Sequence, residues 1–148
     1  MKKFLMIACL FFYSGLIDAQ SSKVYVPTAV NKACKEKYPS VKEVKWQKDK
    51  DAYAALFYFR GAPCTARFNE KGDWLDETRK TSFGELRNNV RNAFSKSKFA
   101  AWRAYEVNEI TERNKEPQYR ILISNTENQS QRYIFYDTKG QLTKEISM

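Results

Sequence analysis

The chain reads as an α+β fold built from two divergent units. Each unit is a helix followed by four antiparallel strands, with the helices packed on one face of the sheet. Three observations predict this. An amphipathic segment precedes a run of short strands at Val26–Tyr38, and the same order returns from Ser82. The strand candidates are joined by turns too short for parallel crossovers. Residues of the first set find counterparts in the second: Val30 and Cys34 fall opposite Val90 and Phe94, Tyr53, Ala55 and Phe57 opposite Tyr119, Ile121 and Ile123, and Phe68, Gly72 and Trp74 opposite Tyr136, Gly140 and Leu142. The connections differ in length, so this is a diverged duplication rather than an array of short repeats. The units are set at 20–80 and 81–148, after a leader at 1–19, and together form one domain.

The leader is a secretory signal peptide. Lys2 and Lys3 form a positive start, Phe4–Ile17 is an apolar run, and Ile17-Asp18-Ala19 ends in a small residue suited to cleavage. The alternative is a membrane anchor, but the run is short of the ~20 residues that cross a bilayer. The mature chain is then not membrane-spanning, and it is periplasmic or secreted. Cleavage removes Lys2, Lys3 and Asp18 and lowers the formal charge from +9 to +8. It also removes Cys9, leaving Cys34 and Cys64. Gln20–Val24 is a polar leader to the fold.

Helix 1 starts near Pro27, a residue suited to a first helical turn. Val26, Val30, Cys34 and Tyr38 recur every four residues, with Ala29 and Ala33 beside them and Asn31, Lys32, Lys35 and Lys37 opposite. Pro39 disfavours helix at Tyr38 and ends it. Four strands follow. Val44 and Trp46 alternate with Lys45 and Gln47, and Lys48–Asp51 turns the chain. Tyr53–Arg60 is aromatic-rich, Pro63–Phe68 is the third strand, and Trp74–Thr78 is the fourth. Asn69-Glu70-Lys71-Gly72 makes a hairpin turn in which Gly72 can take positive φ. In the second unit Ser82-Phe83-Gly84-Glu85 has the form of a capping box, and Leu86, Val90 and Phe94 carry the helical interval. Ala104–Val107, Tyr119–Ser124, Arg132–Tyr136 and Leu142–Ile146 are the strands. Asp137-Thr138-Lys139-Gly140 echoes the first hairpin, and Asn128-Gln129-Ser130 is read as a turn.

A helix ending in Tyr38-Pro39, then Val44-x-Trp46, Tyr53-x-Ala55-x-Phe57 and Phe68-Asn69-x-x-Gly72-x-Trp74, all behind a signal peptide, resembles the β-lactamase-inhibitor-like, PepSY-like exported proteins of Bacteroidetes. The match covers nearly all of the mature chain. The resemblance implies two helix-plus-four-strand units and a role as inhibitor or modulator of an envelope enzyme. The chain departs from that pattern at Cys34, where a larger apolar residue is expected, and at Lys98-Phe99-Ala100, which stands where the first unit has Tyr-Pro.

No catalytic, metal or cofactor site is predicted. The chain has no histidine, which removes the usual general base near neutral pH and the commonest metal ligand. Ser-His-Asp and Cys-His arrangements are therefore impossible, and no Gly-rich phosphate loop occurs. Asp73 and Asp76 are a carboxylate pair, but beside a hairpin turn they read as a solvated edge. Cys34 lies on the apolar stripe of helix 1, and Cys64 shares strand parity with Ala66 and Phe68. A helix-to-sheet disulfide between Cys34 and Cys64 is slightly favoured over two buried free thiols.

The functional signal lies on the strand face away from the helices. Tyr53, Ala55, Phe57 and Phe59 face the helix. The opposite parity carries Leu56, Tyr58 and Arg60, joined by Thr65 and Arg67, and in the second unit Arg120, Leu122, Tyr133 and Phe135. A sheet covered on one side should be polar on the other. Tyr and Arg in an apolar cluster fit a protein-binding surface; the alternative is burial of this face by a second copy or by the segment linking the units. The leading expectation is therefore a non-enzymatic exported binding protein acting on an unidentified protein partner. The alternative is a basic module that binds an anionic envelope component, lipopolysaccharide or glycan, through Lys32, Lys35, Lys37, Lys42, Lys45, Lys48 and Lys50. Nucleic acid is not expected as a partner, because export separates the chain from it.

Overall fold

The computed structural model describes residues 24–148. The signal peptide and most of the polar leader after it lie outside the described residues. The elements are α1 (Thr28–Lys37), β1 (Lys45–Asp49), β2 (Ala52–Phe59), β3 (Ala62–Asn69) and β4 (Trp74–Thr81), then a 3-10 turn (Phe83–Glu85), α2 (Asn88–Ser95), β5 (Arg103–Glu112), β6 (Gln118–Ser124), β7 (Gln131–Asp137) and β8 (Leu142–Ser147). The eight strands form one antiparallel sheet in sequence order. The fold is α+β, and two helix-plus-four-strand units share the sheet.

Helix α1 forms where the apolar interval of four is longest. Val30 and Cys34 are buried on it, and Lys35 and Lys37 lie in the last turn, where positive charge suits the carbonyl end. The Tyr38 N–H donates to the Cys34 carbonyl at 2.9 Å, and Pro39 then prevents another turn. Pro27 stands one residue before the first helical position rather than within it. Val24, read from the sequence as the end of the polar leader, packs against the first core.

The second helix departs from expectation. The Ser82–Glu85 capping box is formed, with the Glu85 carboxylate accepting from the Ser82 N–H at 2.8 Å and from its hydroxyl at 2.9 Å. It caps the 3-10 turn, however, and α2 begins only at Asn88. Leu86 still enters the core from the link between them.

The two hairpins repeat in detail. Gly72 N–H donates to the Asn69 carbonyl at 3.0 Å, and Gly140 N–H to that of Asp137 at 3.1 Å. The Asn69 side chain accepts from the N–H groups of Lys71 and Asp73, and Asp137 does the same for Lys139 and Gln141. Both glycines have φ near +90°, and each lies against a helix N-terminus. A Cβ on Gly72 would stand 2.7 Å from the Ala29 carbonyl oxygen, and one on Gly140 the same distance from that of Asn89. Each hairpin is followed by a register shift, between Arg67 and Phe68 against β4 and between Phe135 and Tyr136 against β8.

Two apolar cores lie on one face of the sheet. The first joins Val30, Cys34 and Tyr38 to Tyr53, Ala55, Phe57, Cys64, Ala66 and Phe68. The second joins Leu86, Val90, Phe94 and Phe99 to Val107, Tyr119, Ile121, Ile123, Ile134 and Tyr136. Cross-strand pairing runs Cys64, Arg79, Glu109, Tyr119, so both cores and both helices share a face. Between the cores this face is polar. The Tyr38 hydroxyl donates to Glu77 at 2.6 Å, and Arg79 pairs with Glu109. Among the described residues no helix is long and apolar enough to cross a membrane.

Candidate functional site

Among the described residues the opposite face of the sheet carries no helix, and its residues are set by cross-strand register. One row runs Leu56, Thr65, Thr78, Ile110, Gln118, Asp137. The next runs Lys80, Asn108, Arg120, Phe135, Lys144, and beyond it lie Leu122, Tyr133 and Ile146. Tyr58 is 73% exposed, whereas Leu56, Leu122, Tyr133 and Phe135 are half-buried. From β2 to β7 the face spans about 24 Å at ordinary strand spacing. The sequence-predicted residues therefore form two patches, Leu56 with Tyr58 at one side and Arg120, Leu122, Tyr133 and Phe135 at the other.

Arg67, on β3, and Arg120, in the second patch, have different surroundings. Arg67 donates to Asp76 through Nε at 2.9 Å and through a terminal nitrogen at 2.5 Å, and its other terminal nitrogen meets Asp49 at 3.3 Å. The Asp76 carboxylate raises the guanidinium pKa above its ordinary value. Arg120 is 3.6 Å from Glu106, and its buried Nε has no hydrogen-bond partner. Its guanidinium lies over the Tyr133 ring, 5.2 Å from the centroid, and Lys144 lies over Phe135 at 5.7 Å. Such cation–ring contacts hold long side chains in place at modest energy. Arg60 does not join this face through a strand. It occupies the β2–β3 turn with φ of 51°, and its guanidinium lies over Phe59, which packs against the first core on the helix side.

One concavity marks the face, and a second opens at the edge of the sheet. A depression of about 410 Å³ is lined by Thr65, Arg67, Asp76, Thr78, Ile110, Glu112 and Arg120. A larger groove of about 1080 Å³ runs between the α1–β1 loop and the edge of β2 and β3, with Val41, Val44, Leu56, Tyr58 and Pro63 along it. This groove exists because β1 pairs with β2 only as far as Lys45 with Leu56, and the loop then leaves the sheet. Sequence reasoning missed the groove and also Ile110, Ile146 and Lys144. The groove depends on where the loop leaves the edge, which no periodicity records. Ile110 was hidden by a predicted strand that stopped at Val107.

Asp73 and Asp76 are both engaged. Asp73 accepts from the Asn69 amide at 2.8 Å, and Asp76 is held by Arg67. Cys34 and Cys64 enter the same core as expected, but both are free thiols here, so the anticipated bond between them is absent from this structure. Burial pushes each thiol up to about 11, which keeps them neutral, small and apolar. Among the described residues no group of three His, Cys, Asp or Glu could hold a metal ion.

No protein-family model matches the chain, and no curated protein matches it. Solved structures do. A DUF2874 family protein from Bacteroides ovatus superposes with a TM-score of 0.80 at 25% identity, covering 84% of this chain and 89% of that one. A protein of Bacteroides eggerthii provisionally assigned to the periplasm gives 0.79 at 24% identity, covering 84% and 90%. A BLIP-like protein from Bacteroides fragilis gives 0.80 at 20% identity, covering 88% and 92%. At these identities the likeness is one of fold.

Proposed function

We propose that this protein is a non-enzymatic, exported binding protein that holds a protein partner on the helix-free face of its sheet. The observation that carries this is the composition of that face. Tyr58 is exposed at one side, and Tyr133, Phe135 and Leu122 are half-buried around Arg120 at the other. Rigid aromatic groups interleaved with arginine are what protein interfaces use as anchors. The span of about 24 Å accommodates a standard interface. Export rests on the signal peptide read at 1–19 and on the likeness to the Bacteroides eggerthii protein. Action as inhibitor or modulator of an envelope enzyme rests on the sequence resemblance to β-lactamase-inhibitor-like, PepSY-like proteins and on the BLIP-like neighbour in structure. Fold likeness alone is a weak guide to activity, so the face carries the proposal.

The test is capture from an envelope extract at low and high salt, with the mature protein beside the double substitution Tyr58→Ala, Tyr133→Ala. A partner retained by the wild type at high salt and lost by the variant is expected, because apolar contact survives screening. A partner released by salt regardless of the tyrosines would instead assign binding to the exposed lysines, Lys42, Lys45 and Lys48 among them, and to an anionic envelope component.

A further inference from the structure

The two arginines of the face are not equivalent, and the difference indicates what the partner presents. This inference rests on the helix-free face being the binding surface. Arg67 is already engaged: Asp76 takes two of its donors and Asp49 a third. Arg120 has a buried Nε without a partner. The Glu106 oxygen it faces is 3.6 Å away, beyond hydrogen-bond reach, and already accepts from the Asn108 amide at 2.5 Å. Arg120 is therefore a charged group held over Tyr133, with only a loose ion pair to Glu106 and with its Nε unpaired. We propose that Arg120 is the anchor for a carboxylate side chain, aspartate or glutamate, on the partner protein.

The surroundings fit one carboxylate. Arg120 lines the same depression as Thr65 and Thr78, which face each other across β3 and β4 and offer hydroxyl donors. Its row runs Lys80, Asn108, Arg120, Phe135, Lys144, with three cations and no carboxylate. Within the depression Asp76 is cancelled by Arg67, and Glu112 pairs with Lys115. The net attraction is thus for a negative group at Arg120. The flank argues against a dense polyanion, because Glu106 borders Arg120 and would repel neighbouring charges. Tyr133 and Phe135 beside the guanidinium favour an aromatic or apolar residue next to the carboxylate. An ionised acceptor on a guanidinium is the stronger kind of hydrogen bond, and the planar fork gives it direction.

The experiment follows the Arg120 Nε–H resonance of isotope-labelled mature protein during titration with N-acetyl-aspartyl-tyrosine amide, its asparagine analogue, and inorganic phosphate. The aspartyl peptide is expected to shift that resonance saturably. The asparagine analogue, and the aspartyl peptide against Arg120→Gln followed through neighbouring backbone amides, are each expected to bind about tenfold more weakly, the size of one charge-assisted hydrogen bond. Glu106→Gln removes the competing carboxylate and is expected to tighten binding, a gain that a damaged fold would not produce. Equal binding of the asparagine analogue, tighter binding of phosphate, or indifference to Arg120→Gln would each overturn the proposal. If the captured partner is lost with Tyr58→Ala, Tyr133→Ala but kept in full by Arg120→Gln, the face stands and the carboxylate anchor falls. If neither variant loses it, both readings fall.

Discussion

The two halves of the sheet repeat their turns almost atom for atom and fill their cores differently. Asn69 and Asp137 close the same hairpin with the same pair of backbone donors, and Gly72 and Gly140 press on the same point of a helix. Inside, Cys34 stands where the second half has Phe94, and Tyr38 fills a place that Phe99 fills there. The first half thus has a core of thiols, alanines and aromatics whose Tyr38 hydroxyl reaches out to Glu77. The second is closed by Leu86, Phe94 and a set of isoleucines. Turn geometry tolerates few residue types, so it survives divergence. Core volume can be redistributed among neighbours, so it does not.

Four measurements break or sharpen this comparison. The largest effect is expected from truncating the two residues that differ most. Phe94→Ala should cost about 3–5 kcal/mol in denaturant unfolding, whereas Cys34→Ala should cost about 1. Equal costs would show that the halves unfold as equivalent cores. Next come the shared hairpins: Gly72→Ala and Gly140→Ala should each cost about 3 kcal/mol, because a Cβ meets a helix carbonyl and the backbone is left-handed. Gly61→Ala, with the same sign of φ and open space around it, should cost only about 1 kcal/mol. A smaller contrast separates two tyrosines. Tyr38→Phe removes the 2.6 Å bond to Glu77 and should cost about 1–2 kcal/mol. Tyr136→Phe should be neutral within about 0.5 kcal/mol, since that hydroxyl is buried without a partner and Phe68 serves in its place in the other half.

At alkaline pH the two thiols of the first half add a pH dependence, since the second core holds no cysteine. Cys34 and Cys64 are raised from 9.0 to about 11 by burial. Between those values the unfolded chain releases protons that the folded chain keeps. Their contribution to stability is therefore complete below pH 9 and is lost as pH rises toward 11. Replacing both cysteines by alanine should flatten that part of the stability profile, measured as the denaturant midpoint against pH. A profile unchanged by the double substitution would show that the thiols ionise in the folded protein as readily as in the unfolded one.

By itself the sequence determined the parts whose cause is local. Helix α1 follows from an apolar residue every fourth position and Pro39 at its end. The hairpins at Asn69–Gly72 and Asp137–Gly140 follow from residues that accept positive φ or bond their own backbone. The inward parity of Tyr53, Ala55 and Phe57 follows from alternation over an aromatic run. Only the tertiary structure decided the rest. Strand β5 runs on to Glu112, not Val107, because it lies at the centre of the sheet under the polar seam of Glu77, Arg79 and Glu109, where alternation of apolar residues is absent. The capping box went to a 3-10 turn because Leu86 had to reach the second core before α2 could begin. Arg60 fell on a left-handed turn and left the strand face. Arg67 and Arg120 look alike in the chain, yet one is hydrogen-bonded to Asp76 and Asp49 and the other only approaches Glu106 at 3.6 Å. Periodicity tells which face a side chain takes. Whether a charge on that face is satisfied depends on residues many positions away, brought alongside only by the register of the folded sheet.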